Sequence, residues 1–379
     1  MSHRASLLFL VFIGACAGAA SRTTATKTDP DRANVERLLR GLAHDSMEGR
    51  GTGTAGGERA ARFLTAEMKR IGLEPGGDDG YSQLVPVYLR PATTRQVTPQ
   101  TCTVDSISKA RSCRATPGAT PVTQQVPARV GALPTFKDLD TVPADRRRVT
   151  RNVIGMITGS DPLLKNEVII VLSHYDHLGI GRPENGDSIY NGADDDASGT
   201  VAVLEVARHL KAGPAPKRTV VFATMTGEEM GLVGTRYFLA HPTIALERIV
   251  AGLEIEMIGR PDSLIGGAGK AWLTGYERST MGDMLKQYGI AIVPDPRPDQ
   301  NFFMRSDNYG FAVRGIVAHT LSTFNLHTDY HHAGDDVDKV DFAHMTAVTQ
   351  SAALAVRHLA DGPKPEWHPG GKPAASAPR

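Results

Sequence analysis

The chain reads Val168-Ile169-Ile170-Val171-Leu172-Ser173-His174-Tyr175-Asp176-His177-Leu178-Gly179 and, shortly after, Asn191-Gly192-Ala193-Asp194-Asp195-Asp196-Ala197-Ser198-Gly199. The run from Val168 to Leu172 has the length and composition of a strand buried on both faces. It ends by presenting two imidazoles and a carboxylate. The three aspartates of the second stretch open an amphipathic helix whose Leu204, Ala207 and Leu210 share a face. Alone, such aspartates serve as a helix N-cap region. Beside the histidine stretch they read as donors to an ion. Imidazole nitrogen and carboxylate oxygen together are the set that zinc-type ions take.

Outward from this stretch, strand and helix patterns alternate. Strands are expected at 153–157, 168–172, 219–224, 249–255 and 315–321. Helices are expected around 199–211, 232–240, 280–288 and 344–359. This alternation implies an α/β fold, a three-layer α/β/α sandwich around a mostly parallel mixed central sheet. Upstream, Val35, Leu38, Leu39 and Leu42 mark one helix face, and Ala60, Phe63, Leu64, Met68 and Ile71 mark another, which stops at Gly72. Between them, Gly51-Thr52-Gly53-Thr54-Ala55-Gly56 matches the dinucleotide fingerprint in form. A helix and a polar turn precede it, not the strand that fingerprint needs, so it reads as a turn that positions the second helix.

The 379 residues, 41% of them hydrophobic, suffice for one large α/β domain or two medium ones. A net charge of +1 with no long basic stripe gives no argument for nucleic acid. Arg4, the apolar run Leu7 to Ile13 and the small residues Gly14 to Ala19 have the three-part pattern of an export leader. Two readings stay open there: ordinary cleavage near Ala19 or Ala20, or lipidation of Cys16 in Ile13-Gly14-Ala15-Cys16. Either makes the protein exported: periplasmic, secreted, or held to a membrane through a lipid on Cys16. Residues 21–31 read as a tether. The stretch 91–148 reads as an irregular insertion or small β subdomain, and it holds Cys102 and Cys113, for which a local disulfide is expected. The tail 362–379 reads as disordered from its composition.

Open α/β sheets bind ligands at the carboxyl ends of their strands. Three apolar strands here end in donors. The first ends at His174, the second runs into Gly227-Glu228-Glu229-Met230-Gly231, and the third into Glu256-Met257-Ile258-Gly259. After the last strand comes Asn325-Leu326-His327-Thr328-Asp329-Tyr330-His331-His332. A ligand is expected from that cluster, and the residues alone do not choose among His327, His331 and His332.

Taken in order, His-x-Asp, Gly-Ala-Asp-Asp-x-Ala-Ser-Gly, Gly-Glu-Glu-x-Gly, Glu-Met-Ile-Gly-Arg, Ser-Asp-Asn and Asp-Tyr-His resemble the M28 zinc peptidases of the bacterial leucyl-type aminopeptidase group. Met47-Glu48-Gly49-Arg50 and Ile71-Gly72-Leu73-Glu74-Pro75 extend the resemblance upstream. It covers about 35–90 and 150–360, so 32–90 and 149–361 would form the catalytic domain. It implies a zinc-exopeptidase, phosphorylase/hydrolase-like fold with two Zn²⁺ ions and peptide or protein substrates. His174 would bind one ion and His331 the other. Asp194 would bridge them, with a cis Asp194–Asp195 peptide. Glu229 and Glu256 would complete the sites, Glu256 standing where the family commonly has Asp. Glu228 would be the general base acting on a water between the ions, Tyr330 would stabilise the oxyanion, and Asp176 would orient His174. His177 and Asp196 fall outside this ligand set. Phe302, Phe303 and Ser306-Asp307-Asn308 would lie near the substrate pocket. The competing functions are a single-zinc glutaminyl cyclase, a carboxypeptidase of the same fold, and a non-enzymatic ectodomain.

Overall fold

The Val168–His174 strand lies at the centre of a mixed sheet, between Thr219–Met225 on one side and Ile249–Glu256 on the other, both parallel to it. This arrangement is seen in a computed structural model that describes residues 30–104, 111–126 and 129–374. The leader expected over 1–20, Cys16 within it and nearly all of the tether lie outside the described residues. Val317–Ser322 extends the parallel core beyond Ile249–Glu256. The flanks turn antiparallel: Arg147–Ile157 pairs with Thr219–Met225, Ser82–Arg90 with Arg147–Ile157, and Ala271–Leu273 with Val317–Ser322.

Alternation along the strands explains the layers. Ile169, Val171, Val220, Phe222, Leu253 and Ile255 face one core, and Val168, Ile170, Leu172, Val221, Ala223 and Met225 face the other. A period of two sends successive side chains to opposite faces. The first core packs against the helices Arg32–Leu42, Ala55–Ile71, Gly199–Ala212 and Phe342–Asp361. The second is closed by Phe238 and Leu239 of helix Val233–Ala240 and by Phe311 of Asn308–Ala312. Among the described residues no helix is long and apolar enough to cross a membrane.

The connectivity places the site. From Val168–His174 the chain passes through Gly199–Ala212 to Thr219–Met225 on one side. It then passes through Val233–Ala240, on the opposite face, to Ile249–Glu256 on the other side. Strand order therefore reverses at Val168–His174, and the crevice at such a reversal, outside the carboxyl ends, is where open α/β sheets bind ligands.

Within 91–148, Thr93–Val97 pairs with Val122–Val126 and Gln100–Val104 with Arg111–Ala115, while Arg129–Ala132 joins the edge of the main sheet. Cys102 and Cys113 are register partners. The tail is not disordered as far as it is described, to 374. Trp367 packs on the main core, its Nε1 donates to the Gly315 carbonyl at 2.9 Å, and the His368 amide donates to the Arg278 carbonyl. One aromatic anchor outweighs the polar composition around it.

Candidate metal centre

His174, the last residue of its strand, is fully buried. Its Nε2 lies 3.3 Å from Asp195 Oδ1 and 3.8 Å from Glu256 Oε1. Asp195 also faces a second group. Its Oδ2 is 3.1 Å from His331 Nε2, and His331 Nε2 is 3.2 Å from Glu229 Oε1. His177 Nδ1 approaches the same Glu229 oxygen to 3.0 Å. The three strand ends and the late histidine loop thus converge on one carboxylate.

That carboxylate is Asp195, and the expectation for Asp194 is corrected. Asp194 Oδ1 accepts from the Gly259 amide at 2.6 Å and Oδ2 lies 3.1 Å from His327 Nε2, so its side chain is turned away from the cluster. The cis peptide is Asp195–Asp196, not Asp194–Asp195. Asp196 is structural: it accepts from the amides of His174, Gly199 and Met257 and so ties two strand ends to the helix start. The cluster 327–332 sorts itself in the same way. His331 faces the site, His327 pairs with Asp194, and the exposed His332 pairs with Glu184.

Asp176 sits behind His174, but the bond to the imidazole runs from Nδ1 to the Asp176 carbonyl oxygen at 3.2 Å. Its carboxylate, 3.8 Å from that nitrogen, accepts instead from Thr52 Oγ1 and from the Glu228 amide. Asp176 therefore fixes the loop that carries Glu228. Thr52 gives the early glycine-rich turn its place in the site.

Sequence reasoning missed two supports. Asp335 accepts from the amides of Asp194 and Asp195 and pairs with Arg260 at 3.0 Å, pinning the aspartate turn. Arg50 is fully buried and donates to the carbonyls of Tyr175, Leu42, Asn191 and Gly192. Burial lowers its pKa to about 10 against the opposing pull of Asp176 and Asp335, so it stays charged at neutral pH. A buried arginine ends up here because its planar fork serves several carbonyls at once. Arg50→Met leaves those carbonyls unpaired, and a loss of roughly 3–5 kcal/mol is expected. Equilibrium denaturation measures it, and a loss below about 1 kcal/mol would deny Arg50 this role.

The electrostatics are those of a buried acidic site. Burial, aided by Glu256, Asp307 and Glu229 and opposed by His174, pushes Glu228 well above the usual carboxylate range. Burial likewise raises Asp176 and Asp196. His174 is pulled down by burial, yet its contacts with Asp195 and Glu256 hold it well above the ordinary imidazole range. Several nitrogens and oxygens here are buried without a hydrogen-bond partner: His174 Nε2, His177 Nδ1, Asp195 Oδ2, Glu229 Oε1 and His331 Nε2. Unpartnered buried donors and acceptors are costly. Here they form two sets whose ligand atoms lie within 4.8 Å of one another, His174–Asp195–Glu256 and His177–Asp195–Glu229. The residues fit zinc.

Beside this centre is a cleft that includes Asp195, Glu228, Glu256 and Tyr330. Met257, Trp272, Phe302 and Phe324 give it apolar walls. Phe302 and Phe303 part company, since Phe303 packs on Tyr309, His319 and Trp367. Ser306 and the Asn308 amide both donate to the buried Glu254.

A model of peptidase family M28 matches residues 152–356, more than half of the chain. The chain belongs to peptidase family M28. The match takes in the strand-end donors and the histidine loop. Among curated relatives, "probable leucine aminopeptidase 2" of Aspergillus oryzae is 26% identical over 238 residues, 56% of this chain and 45% of the relative. A "probable aminopeptidase" of Saccharomyces cerevisiae is 27% identical over 212 residues, 52% of this chain and 54% of the relative. The M28 chain thus spans about half the length of these relatives. Two solved structures share its fold. An aminopeptidase from Aneurinibacillus sp. strain AM-1 has a TM-score of 0.58 at 18% identity, covering 88% of this chain and 95% of that one. A zinc aminopeptidase from Bacillus subtilis has a TM-score of 0.60 at 13% identity, covering 89% and 97%.

Proposed function

We propose that this M28 peptidase is an exported dizinc aminopeptidase that removes N-terminal residues from peptides. The observation that carries the reading is the convergence of unpartnered buried imidazole and carboxylate atoms at the strand reversal, with Asp195 common to both sets. His174, Asp195 and Glu256 would hold one zinc, and Asp195, Glu229 and His331 the other. Bound there, the zinc pair supplies Lewis-acid polarisation of the scissile carbonyl and acidifies a water. The relatives' names support an amine-directed exopeptidase, and the pattern of residues 4–19 supports export.

The remaining steps belong to the chain's own groups. Glu228 lines the cleft, and its backbone is fixed through Asp176. Its carboxylate takes the proton of the attacking water and returns it to the leaving amine. The Tyr330 hydroxyl donates to the oxyanion. Its ring stacks on His331 at 3.9 Å and tilts against Phe324 at 4.8 Å. Burial and the nearby carboxylates raise its pKa.

The test is a cleavage panel of free-amine, N-blocked and C-blocked peptides on metal-quantified protein, with and without chelator. Cleavage should require a free amine, tolerate a blocked carboxyl end, fall on chelation and return with zinc. Turnover of N-blocked peptides would point to the carboxypeptidase reading, and pyroglutamate formation at a single zinc to the cyclase.

A further inference from the structure

His177 is fully buried, and neither of its ring nitrogens has a hydrogen-bond partner. A buried polar atom left so is costly, which makes this imidazole a poor core filler. Its Nδ1 lies 3.0 Å from Glu229 Oε1 and 3.8 Å from Asp195 Oδ2. The shorter distance suits a hydrogen bond, yet none is formed. His174 Nε2 and His331 Nε2 behave alike: each lies 3.3 Å or 3.1 Å from an Asp195 oxygen and neither is hydrogen-bonded to it. Donor atoms crowded together without pointing at one another point at a shared third body.

The loop is shaped around this ring. Gly192 has φ +54°, and a Cβ there would come within 2.4 Å of His177 Cγ. Gly192 opens the turn that delivers Asp195, so the backbone that carries the shared carboxylate also leaves room for the imidazole.

We infer that His177 binds the second ion directly, together with Asp195, Glu229 and His331; this rests on the dizinc reading proposed above. The second ion then has four protein donors, where His174, Asp195 and Glu256 give the first ion three. Glu256 lines the substrate cleft with Glu228 and Tyr330.

X-ray absorption of the zinc-loaded full chain tests this without a variant. Three imidazoles should be shared between the two ions, and two would overturn the inference. His177→Cys loaded with cobalt(II) should show a thiolate-to-cobalt charge-transfer band that the wild type lacks. Full cobalt loading without that band would overturn it too. His177→Ala should weaken one ion by more than the roughly 10–100-fold lost with a supporting residue, and unchanged affinity would again overturn it. Wild-type protein that binds fewer than two ions would instead sink the dizinc reading, so the two failures are distinguishable.

Discussion

Glu228→Gln should lower kcat by roughly 10²–10⁴-fold while zinc content stays at the wild-type level. The residue lies beside the ligands, not among them: Glu228 lines the cleft, while the neighbouring Glu229 lies 3.0 Å from His177 Nδ1 and 3.2 Å from His331 Nε2. Glutamine keeps the shape, and the amide that Asp176 holds at 3.1 Å belongs to the backbone, so the loop stays in place. What is lost is the ability to accept a proton. Folding should not suffer, because burial among Glu256, Asp307 and Glu229 already holds the charged form of Glu228 at a disadvantage. Metal analysis, denaturation and steady-state kinetics on one preparation separate these effects. A variant with near-wild-type kcat would remove Glu228 from proton transfer, and one that lost zinc would make it a ligand.

The parts legible in the sequence were those in which one residue or one period carries the information. The apolar run 168–172 shows a doubly buried strand, and a donor at its carboxyl end follows from the fold class. His174, Glu229 and Glu256 were legible for that reason, and the structure brings all three to the same crevice. Arg50 and Asp335 were not, because their work is done on backbone amides and carbonyls of segments distant in sequence. No periodicity marks such contacts. His177 falls outside the ligand set that the family resemblance implies. The turn after His174 redirects the backbone, and Gly192 makes the space. The short Ala271–Leu273 and Ile292–Pro294 strands are too brief for any alternation to appear.

The aspartate run shows where pattern gives way to geometry, and a matched pair of variants tests the result. Three adjacent carboxylates have the same chemistry, so sequence cannot say which one turns inward. The structure separates them through their partners: backbone amides around Asp196, Gly259 and His327 around Asp194, and only histidines around Asp195. Asp195→Asn should cost both ions and lower kcat/KM by at least about 10³-fold, equivalent to about 4 kcal/mol of transition-state stabilisation. An amide cannot supply the second anionic oxygen that a carboxylate shared by two cations needs. Asp194→Asn should keep both ions and hold activity within about tenfold, about 1.4 kcal/mol. Its amide oxygen can still accept from Gly259 and its amide nitrogen can still meet His327. Zinc content after dialysis decides between the positions before any assay is run. Loss of zinc from Asp194→Asn with retention in Asp195→Asn would return the shared role to Asp194 and with it the ligand register first read from the sequence.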